Sequence, residues 1–420
     1  MGILAGMEHP STRVTIVGLH YWPEPTGNAP YTSGLAEGLV AIGRQVHVVT
    51  AFPHYPAWRI SPGYDGLRMV ETISGVFVRR NRPYVPSRPA GVKRLLMELH
   101  FGFGSIFTKW NEPETLILVS PALFAVAIAQ LRARIFHPRV PVIVWVQDIY
   151  TRGVEETGAI GASGTSVVKR VESAVFRRAD RVVVIHDRFK RYLTESLGVD
   201  DSTIDVVRNW THISPTGPDR AAFREMFGWG DEIVVLHAGN MGAKQSLENV
   251  VEAARFADEN GSHIRFVLLG DGNQRPRLQH LARDVVKLDF LDSLDDESFQ
   301  GAMAAADILL VNEKAGLSDM AVPSKLTSYL ASGRPVIAVT DEGSITAEEI
   351  AAASAGIRVD TNDPAALVRE ALALGADSAR GEALGANGMA FQELVLSKNA
   401  AISQYAEIIN HLASKKPLSK

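Results

Sequence analysis

Cysteine is absent from this 420-residue chain, which excludes a disulfide framework, a thiol nucleophile and a cysteine-ligated zinc site. Long apolar runs are missing too. No stretch of about twenty uncharged apolar residues is there to span a bilayer. Residues 1–11 hold neither a basic n-region nor a long apolar core, so no secretory signal is expected. These absences together predict a cytoplasmic protein. There is no G-x-G-x-x-G fingerprint, which disfavours a nicotinamide dehydrogenase. The 12 histidines are scattered, without an H-x-x-x-H or D-x-D constellation, and no metal site is expected. Short internal repeats and low-complexity tracts are lacking as well.

What is present is ordinary in amount and uneven in placement. With 46% apolar and 21% charged residues, the composition is that of a globular protein, and the length suffices for two domains with their own cores. The net charge of −4 divides unequally: residues 1–212 carry 24 basic against 18 acidic side chains, residues 213–420 carry 19 against 29. A basic N-terminal half suits an acidic acceptor or a membrane surface, and no nucleic-acid motif accompanies it.

The stretch from Arg13 to Pro56 sets the pattern. Val14–Gly18 is an apolar run fit for a buried parallel strand. A proline-flanked polar loop holds Thr26-Gly27-Asn28, a helix follows with Leu35, Leu39 and Ile42 at helical spacing, and Gln45–Thr50 is a second strand. Ligands of parallel α/β sheets bind beyond the carboxyl ends of strands, where helix N-termini supply free amides. Gly27 would admit an anionic group close to the backbone, or would simply make a turn.

Further strands are expected at Thr115–Val119, Pro141–Val146 and Arg181–Ile185, and a break near Ser214–Asp219. The alternation then starts again at Ile233–His237, Ile264–Leu269, Ile308–Val311 and Pro335–Val339. The fold class is therefore α/β, with two Rossmann-like domains, residues 1–214 and 215–390. Val92 to Trp110 reads as a helix rich in aromatic and basic residues, serving either the core or a membrane boundary. The loop after Ile233–His237 brackets Asn240 between Gly239 and Gly242 and brings Lys244 into the first helical turn. That pattern suits a diphosphate with about two negative charges, although a solvated surface lysine has the same spacing.

Several separated motifs carry a family resemblance. The run Tyr21-Trp22-Pro23-Glu24-Pro25-Thr26-Gly27-Asn28-Ala29-Pro30-Tyr31-Thr32, the later Phe52-Pro53-His54-Tyr55-Pro56, and the run Ala321 to Ala338 resemble retaining family-four glycosyltransferases, within which the colanic-acid fucosyltransferase branch is most similar. The resemblance spans nearly the whole chain. It implies the GT-B architecture, two domains facing across a cleft with a C-terminal helix, residues 391–420, crossing back to the first. The activity it implies is metal-independent transfer of a sugar, with retention, from a UDP- or GDP-sugar to an acceptor hydroxyl, with no cofactor besides that donor. A lipid-linked or small-molecule glycan is the acceptor implied, with peripheral contact at the inner face of a membrane and a place in exopolysaccharide synthesis. A nucleotide-sugar 2-epimerase and a catalytically silent sugar-nucleotide binder are the alternatives.

By the same resemblance Gly27, Asn28, Gly239, Asn240, Gly242, Lys244, Gly272, Ser324, Lys325 and Ser328 bind the donor, with Lys244 and Lys325 stabilising the leaving diphosphate. Tyr21, Trp22, His54 and Tyr55 fall to the acceptor, and Asp148 to proton transfer or orientation of the hydroxyl. His186 follows a strand end as a lesser candidate. The sequence departs from the family at Asn240, where relatives carry arginine, at Ser120 and Gln147, where many carry histidine, and at Met320 and Ser328, which replace a glutamate pair. Asp319 and Glu313 are nearby carboxylates that could substitute.

Overall fold

A computed structural model describes residues 12–25, 27–87, 91–157, 162–210, 219–316 and 324–414, without the side chains of 155–157, 162, 163 and 324. Thr26, Asp319, Met320 and the expected break over residues 214–218 lie outside the described residues. The chain divides into two compact units. Unit 1 comprises residues 1–209 together with 398–420, and unit 2 runs from Trp210 to Ser397.

Unit 1 opens with β1 (Arg13–Val17), α1 (Ala29–Ala41) and β2 (Gln45–Ala51), the strand–loop–helix–strand pattern read from the sequence. A hairpin follows, β3 (Arg68–Ile73) and β4 (Val76–Asn81), then α2 (Val92–Ile106), β5 (Thr115–Ser120), α3 (Leu123–Phe136) and β6 (Val142–Val146). The unit continues through α4 (Tyr150–Thr157), α5 (Ala162–Arg177), β7 (Arg181–Val184), α6 (Asp187–Leu197) and β8 (Ile204–Val206). The eight strands are ordered β3-β4-β2-β1-β5-β6-β7-β8. All pairs are parallel except β3 with β4. The order reverses beside β1, so β1 and β5 flank the point where ligands of such sheets bind.

The hairpin was not expected, because its glycine- and arginine-rich sequence hides a half-exposed edge strand, β3, that alternates exposed and half-buried residues. α2 has one buried and one exposed apolar face. Met97, Glu98, Phe101, Gly102 and Ser105 face the core, while Val92, Leu96, Phe103 and Phe107 stand exposed. Contact with α3 is close, since a Cβ on Gly102 would lie 3.0 Å from the Ala125 Cα.

Unit 2 contains α7 (Arg220–Met226), β9 (Ile233–Ala238), α8 (Glu248–Glu259), β10 (Ile264–Leu269), α9 (Arg275–Leu281), β11 (Leu288–Leu291), α10 (Asp296–Ala305) and β12 (Ile308–Asn312). It is completed by α11 (Ser324–Ala331), β13 (Val336–Val339), α12 (Ile345–Ala353), β14 (Gly356–Val359), α13 (Pro364–Ala376) and α14 (Ser378–Val395). Its six strands are parallel throughout, ordered β11-β10-β9-β12-β13-β14. The strands are nearly continuous apolar runs, as a sheet covered on both faces requires, and the cores on its faces hold Phe266, Leu310 and Ile337, and Leu236, Val311 and Tyr329.

The C-terminal segment over residues 391–420, expected as one helix, holds the end of one helix and the whole of another. α14 stays with unit 2, where Phe391, Val395 and Leu396 pack on the core. After Ser397 the chain enters α15 (Lys398–Ser414), which belongs to unit 1. There Ile402 fits over Gly38 of α1, so closely that a Cβ on Gly38 would fall 2.4 Å from the isoleucine. Tyr405 sets its ring 5.3 Å from that of Trp145 in β6.

Candidate active site

The carboxyl ends of the unit 1 strands carry a row of polar residues. His20 follows β1, His54 follows β2, Ser120 ends β5, Gln147 and Asp148 follow β6, His186 follows β7 and Asn209 follows β8. Glu24, treated in the sequence only as part of a loop motif, ties the first two together. Its buried carboxylate accepts from the His54 and Tyr55 amides at 2.7 and 2.9 Å and meets His20 Nδ1 at 2.6 Å. Burial works to raise this carboxyl, but hydrogen bonding and charge from His20, with a smaller contribution from His54, hold it below the ordinary value. One nitrogen from each imidazole and one Glu24 oxygen lie within 4.8 Å of one another, a cluster whose two histidines are too far apart in sequence for a spacing rule to reveal.

The His54 Nδ1 lies 2.8 Å from the Phe52 carbonyl and donates to it, which leaves Nε2 as a lone-pair acceptor. Burial, then the neighbouring His20, lowers the His54 pKa, so the ring is neutral. That Nε2 is buried without a partner among the described residues. The aromatic candidates separate. Trp22 is half exposed, whereas Tyr21 is buried at 1% exposure with the Arg80 guanidinium 5.7 Å from its ring centre. Tyr55 is half-buried, edge-on to Trp58 and 5.5 Å from the His20 ring. Gly27 is exposed at φ +69°, with Tyr55 3.5 Å from where its Cβ would be, and Asn28 precedes α1.

Asp148 is half-buried and accepts from the Ile149 amide at 2.8 Å. Beside it two buried glutamates serve as helix caps from a distance. Glu172 accepts from the Tyr150 and Thr151 amides at the start of α4 (2.7 and 3.2 Å). Glu98 accepts from the Phe124 amide in the first turn of α3 at 3.2 Å and faces Arg94 at 3.3 Å. Burial pushes the Glu98 carboxyl up to about 7, against the pull of Arg94. Asn209 donates to Gln147 at 2.8 Å, and the other amide atom of each is buried and unpaired. His186 caps α6, its Nδ1 accepting from the Arg188 amide at 3.0 Å.

In unit 2 the loops after β9 and β10 are laced together through backbone. Gly239 N donates to Leu269 O at 2.8 Å, Met241 N to Asp271 O at 2.7 Å and Gln274 N to Met241 O at 3.0 Å. The approach is so close that a Cβ on Gly270 would lie 2.3 Å from Gly239 O, and one on Gly272 2.4 Å from Met241 O. Gly239 itself has φ +127°, a conformation that side chains rarely accept. Gly242, by contrast, has an ordinary φ of −102°, and its amide is capped by the Gln245 side chain at 3.0 Å. Asn240 and Lys244 are exposed on this loop. Asn312 at the end of β12 steadies the same loop, donating to the Gln245 and Ser246 carbonyls at 2.7 and 3.1 Å.

α11 places Lys325 against the turn. The lysine Nζ lies 3.0 Å from His237 Nε2 and 3.8 Å from where a Gly239 Cβ would stand. Burial lowers Lys325 to about 8, opposed by the charge of Glu313. The Tyr329 hydroxyl accepts from the Ala238 amide at 2.8 Å, clamping the end of β9. Glu313 is held by the Thr340 and Thr346 hydroxyls at 2.6 and 2.8 Å. Ser328 is half-buried on α11; Ser324 begins that helix, and its side chain lies outside the described residues. The sequence thus singled out Gly239, Lys244 and Lys325 but passed over His237, Tyr329 and Asn312. The one signal for His237 was a lone polar residue in the apolar strand Ile233–Ala238.

Residues 26–210 match the glycosyl transferase 4-like domain family, and residues 232–377 match the glycosyl transferases group 1 family. A glycosyl transferase assigned to colanic acid biosynthesis in Escherichia coli K12, WcaI, is 30% identical over 338 residues, 76% of this chain and 81% of the relative. This chain is a GT-B glycosyltransferase of family four. Similar folds among solved structures include sucrose-phosphate synthase from Thermosynechococcus elongatus (TM-score 0.68, 18% identity, 96% of this chain and 100% of that one). Anabaena HepE, solved with UDP, gives 0.65 and 14% over 95% and 100% of the two chains. Among the described residues of this glycosyltransferase no helix is long and apolar enough to cross a membrane.

Proposed function

We propose that this glycosyltransferase moves a sugar from a nucleoside diphosphate sugar, with UDP or GDP as carrier, to an acceptor hydroxyl with retention, in the assembly of a cell-surface polysaccharide. The observation that carries the donor half is the pair of laced glycine loops after β9 and β10, with the Lys325 ammonium set against them. A glycine turn that lets a ligand approach the backbone closely, with a cation beside it, is suited to seat a diphosphate. The complex of HepE with UDP and the colanic-acid assignment of WcaI support the nucleotide and the product class.

In the reaction so read, the acceptor oxygen bonds to the sugar's anomeric carbon as the bond from that carbon to the diphosphate oxygen breaks. The acceptor proton passes to the departing oxygen, on the same face of the sugar. Lys325 and the exposed Lys244 neutralise the charge that develops on the diphosphate, the service a divalent ion performs elsewhere, so the transfer runs without metal. The acceptor falls to unit 1, where the unpaired His54 Nε2 and the Asp148 carboxylate are suited to receive a hydroxyl's hydrogen bond.

Thermal unfolding with UDP, GDP, ADP and dTDP and their sugars, with and without magnesium, tests the donor half. One nucleotide at about a hundred times its dissociation constant stabilises by about 2.7 kcal/mol, and a flat panel removes the proposal. Lys244→Ala is expected to lower turnover by roughly a hundredfold, and normal kinetics would take Lys244 out of the chemistry. Donor binding without transfer to any acceptor, and without slow hydrolysis, would leave a silent binder. For the acceptor, the exposed Val92, Leu96 and Phe103 on α2 and Phe107 just after it, with Lys93 alongside, support docking to an anionic membrane that carries a lipid-linked glycan. Co-sedimentation with phosphatidylglycerol vesicles should weaken with added salt and with Phe103→Ser/Phe107→Ser. No sedimentation at low salt points to a soluble acceptor.

A further inference from the structure

His237 lies wholly buried in β9, and its two ring nitrogens have different partners. Nδ1 lies 3.1 Å from the Leu310 carbonyl, which can only accept. Nδ1 therefore carries the proton, and Nε2 presents its lone pair to the Lys325 ammonium at 3.0 Å. A second proton on this ring would aim an N–H at an ammonium, so the imidazole stays neutral. Its pKa is pulled well below the ordinary value, by burial first and by Lys325 next, against smaller contributions from hydrogen bonding to the Leu310 and Asn240 backbone.

We infer that His237 is a positioning residue: a permanently neutral acceptor that holds the Lys325 ammonium beside the Gly239 turn as the anion-binding group, which works only while Lys325 keeps its proton. The inference rests on the reading of this turn as the diphosphate seat. The ammonium stands directly beside the turn, with Nζ and Cε of Lys325 3.8 Å from where a Gly239 Cβ would begin, an ordinary contact distance, and the turn itself needs glycine for its φ of +127°. An ammonium needs acceptors, and His237 supplies one that brings no negative charge to repel a diphosphate.

The charged and titratable groups about Lys325 come from each neighbouring element. From β9 there is His237. Beyond β12 there is Glu313, whose charge favours the ammonium and whose oxygens are engaged by Thr340 and Thr346. On α11 there is Tyr329, buried and kept in its phenol form, its hydroxyl engaged with both Ala238 N and Ala238 O. The Gly239–Met241 turn contributes no charge, and Lys244 beyond it is exposed. Burial outweighs Glu313 and brings the lysine to about 8. A group that binds an anion only when protonated loses affinity above its pKa, approaching about tenfold per pH unit.

The test measures UDP affinity by calorimetry from pH 6.5 to 9.5 in four proteins: wild type, His237→Leu, His237→Gln and Lys325→Met. Wild type should bind evenly up to about pH 8 and then weaken. His237→Leu, with no acceptor for the ammonium, should begin to weaken about one unit lower and bind roughly threefold more weakly than wild type at pH 7.5. His237→Gln, which keeps an acceptor near the Nε2 position, should bring the profile back toward wild type. Lys325→Met should bind weakly and without this pH dependence. If His237→Leu does not fold, His237→Asn, whose amide stops short of the ammonium, takes its place. A wild-type profile flat to pH 9.5, or one unmoved by loss of the imidazole, overturns the inference.

A second readout needs no ligand. Carbon-13 NMR of the lysine ε-carbons, with Lys325 assigned through Lys325→Met, should show a midpoint near 8 that falls in His237→Leu. An unshifted midpoint overturns the positioning role. A shifted midpoint together with no UDP binding at any pH upholds the role of His237 and overturns the nucleotide reading instead.

Discussion

Glu98 keeps a carboxyl group in the core of unit 1 at a cost that depends on pH. Its folded pKa of about 7 stands above the ordinary glutamate value of 4.5, so the folded state holds the proton more tightly than the unfolded chain does. The stability this gives is fully present below about pH 4.5 and is lost as pH rises through 7. Glu98→Gln keeps an acceptor for the Phe124 amide and cannot ionise. Relative to wild type it should therefore gain stability between pH 5 and pH 8, on the order of 2 kcal/mol, read from urea unfolding of unit 1 at the two pH values. An equal offset at both would mean that Glu98 does not titrate in this range.

At this scale the sequence disclosed residues that announce themselves locally. Gly239 and Lys244 stand five apart in one loop, and Lys325 stands in a recognisable run. Glu24, Glu98, Glu172 and His237 stayed hidden, because each acquires its role from partners distant in the chain: Glu24 from the His54 amide, Glu98 from that of Phe124, His237 from Leu310 and Lys325. A buried carboxylate capping another element's helix leaves no mark in its own neighbourhood of sequence.

Among the loops of unit 2, glycines that look alike in sequence carry unequal demands. Gly242→Ala would bring a Cβ to 2.8 Å from the Asn240 amide nitrogen and 3.0 Å from Gln245 Oε1. Both are ends of flexible side chains, so the cost should stay within about 1 kcal/mol. Gly270→Ala would meet the Gly239 carbonyl at 2.3 Å, and neither backbone can yield without unlacing the two loops. A loss of about 2–4 kcal/mol is expected, with weakened nucleotide binding, measured by chemical denaturation of unit 2 and by UDP titration. The sequence reading ranked these two the other way, taking Gly242 into the site and leaving Gly270 out. The bracket around Asn240 is visible in one loop, whereas the Gly270 contact needs two strands side by side. The strands themselves were plain, since covered parallel strands are apolar runs whatever their partners. The β3–β4 hairpin was not, because half-exposed edge strands lack that run.

For the whole molecule, the two Rossmann-like sheets follow from the alternation of strands and helices, and their strand orders are what short parallel crossovers allow. The sequence could not show that α14 and α15 part company at Ser397, because neither glycine nor proline marks residues 396–397 and only the surfaces the two helices cover differ. Removal of Lys398–Lys420 should therefore weaken unit 1 and leave unit 2 nearly untouched. Hydrogen exchange should rise in α1 and β6, which Ile402 and Tyr405 cover, with β9 and β10 unchanged. Faster exchange in β9 and β10 instead would place α15 with unit 2. Gly38→Ala should cost unit 1 stability by crowding Ile402, and Ile402→Ala in the same chain should recover part of the loss.

That return of the chain also sets a timetable. On the ribosome the α1 groove emerges early, but Ile402 emerges only after all of unit 2. At about 5–20 residues per second, the wait from Gly38 to Ile402 is on the order of twenty to seventy seconds. Through it the surfaces around Gly38 and Trp145 lie bare on a nascent chain while a second domain folds between the pieces of the first. This glycosyltransferase completes its first domain last, and its early translation intermediate is the species that exposes apolar surface to chaperones and to aggregation.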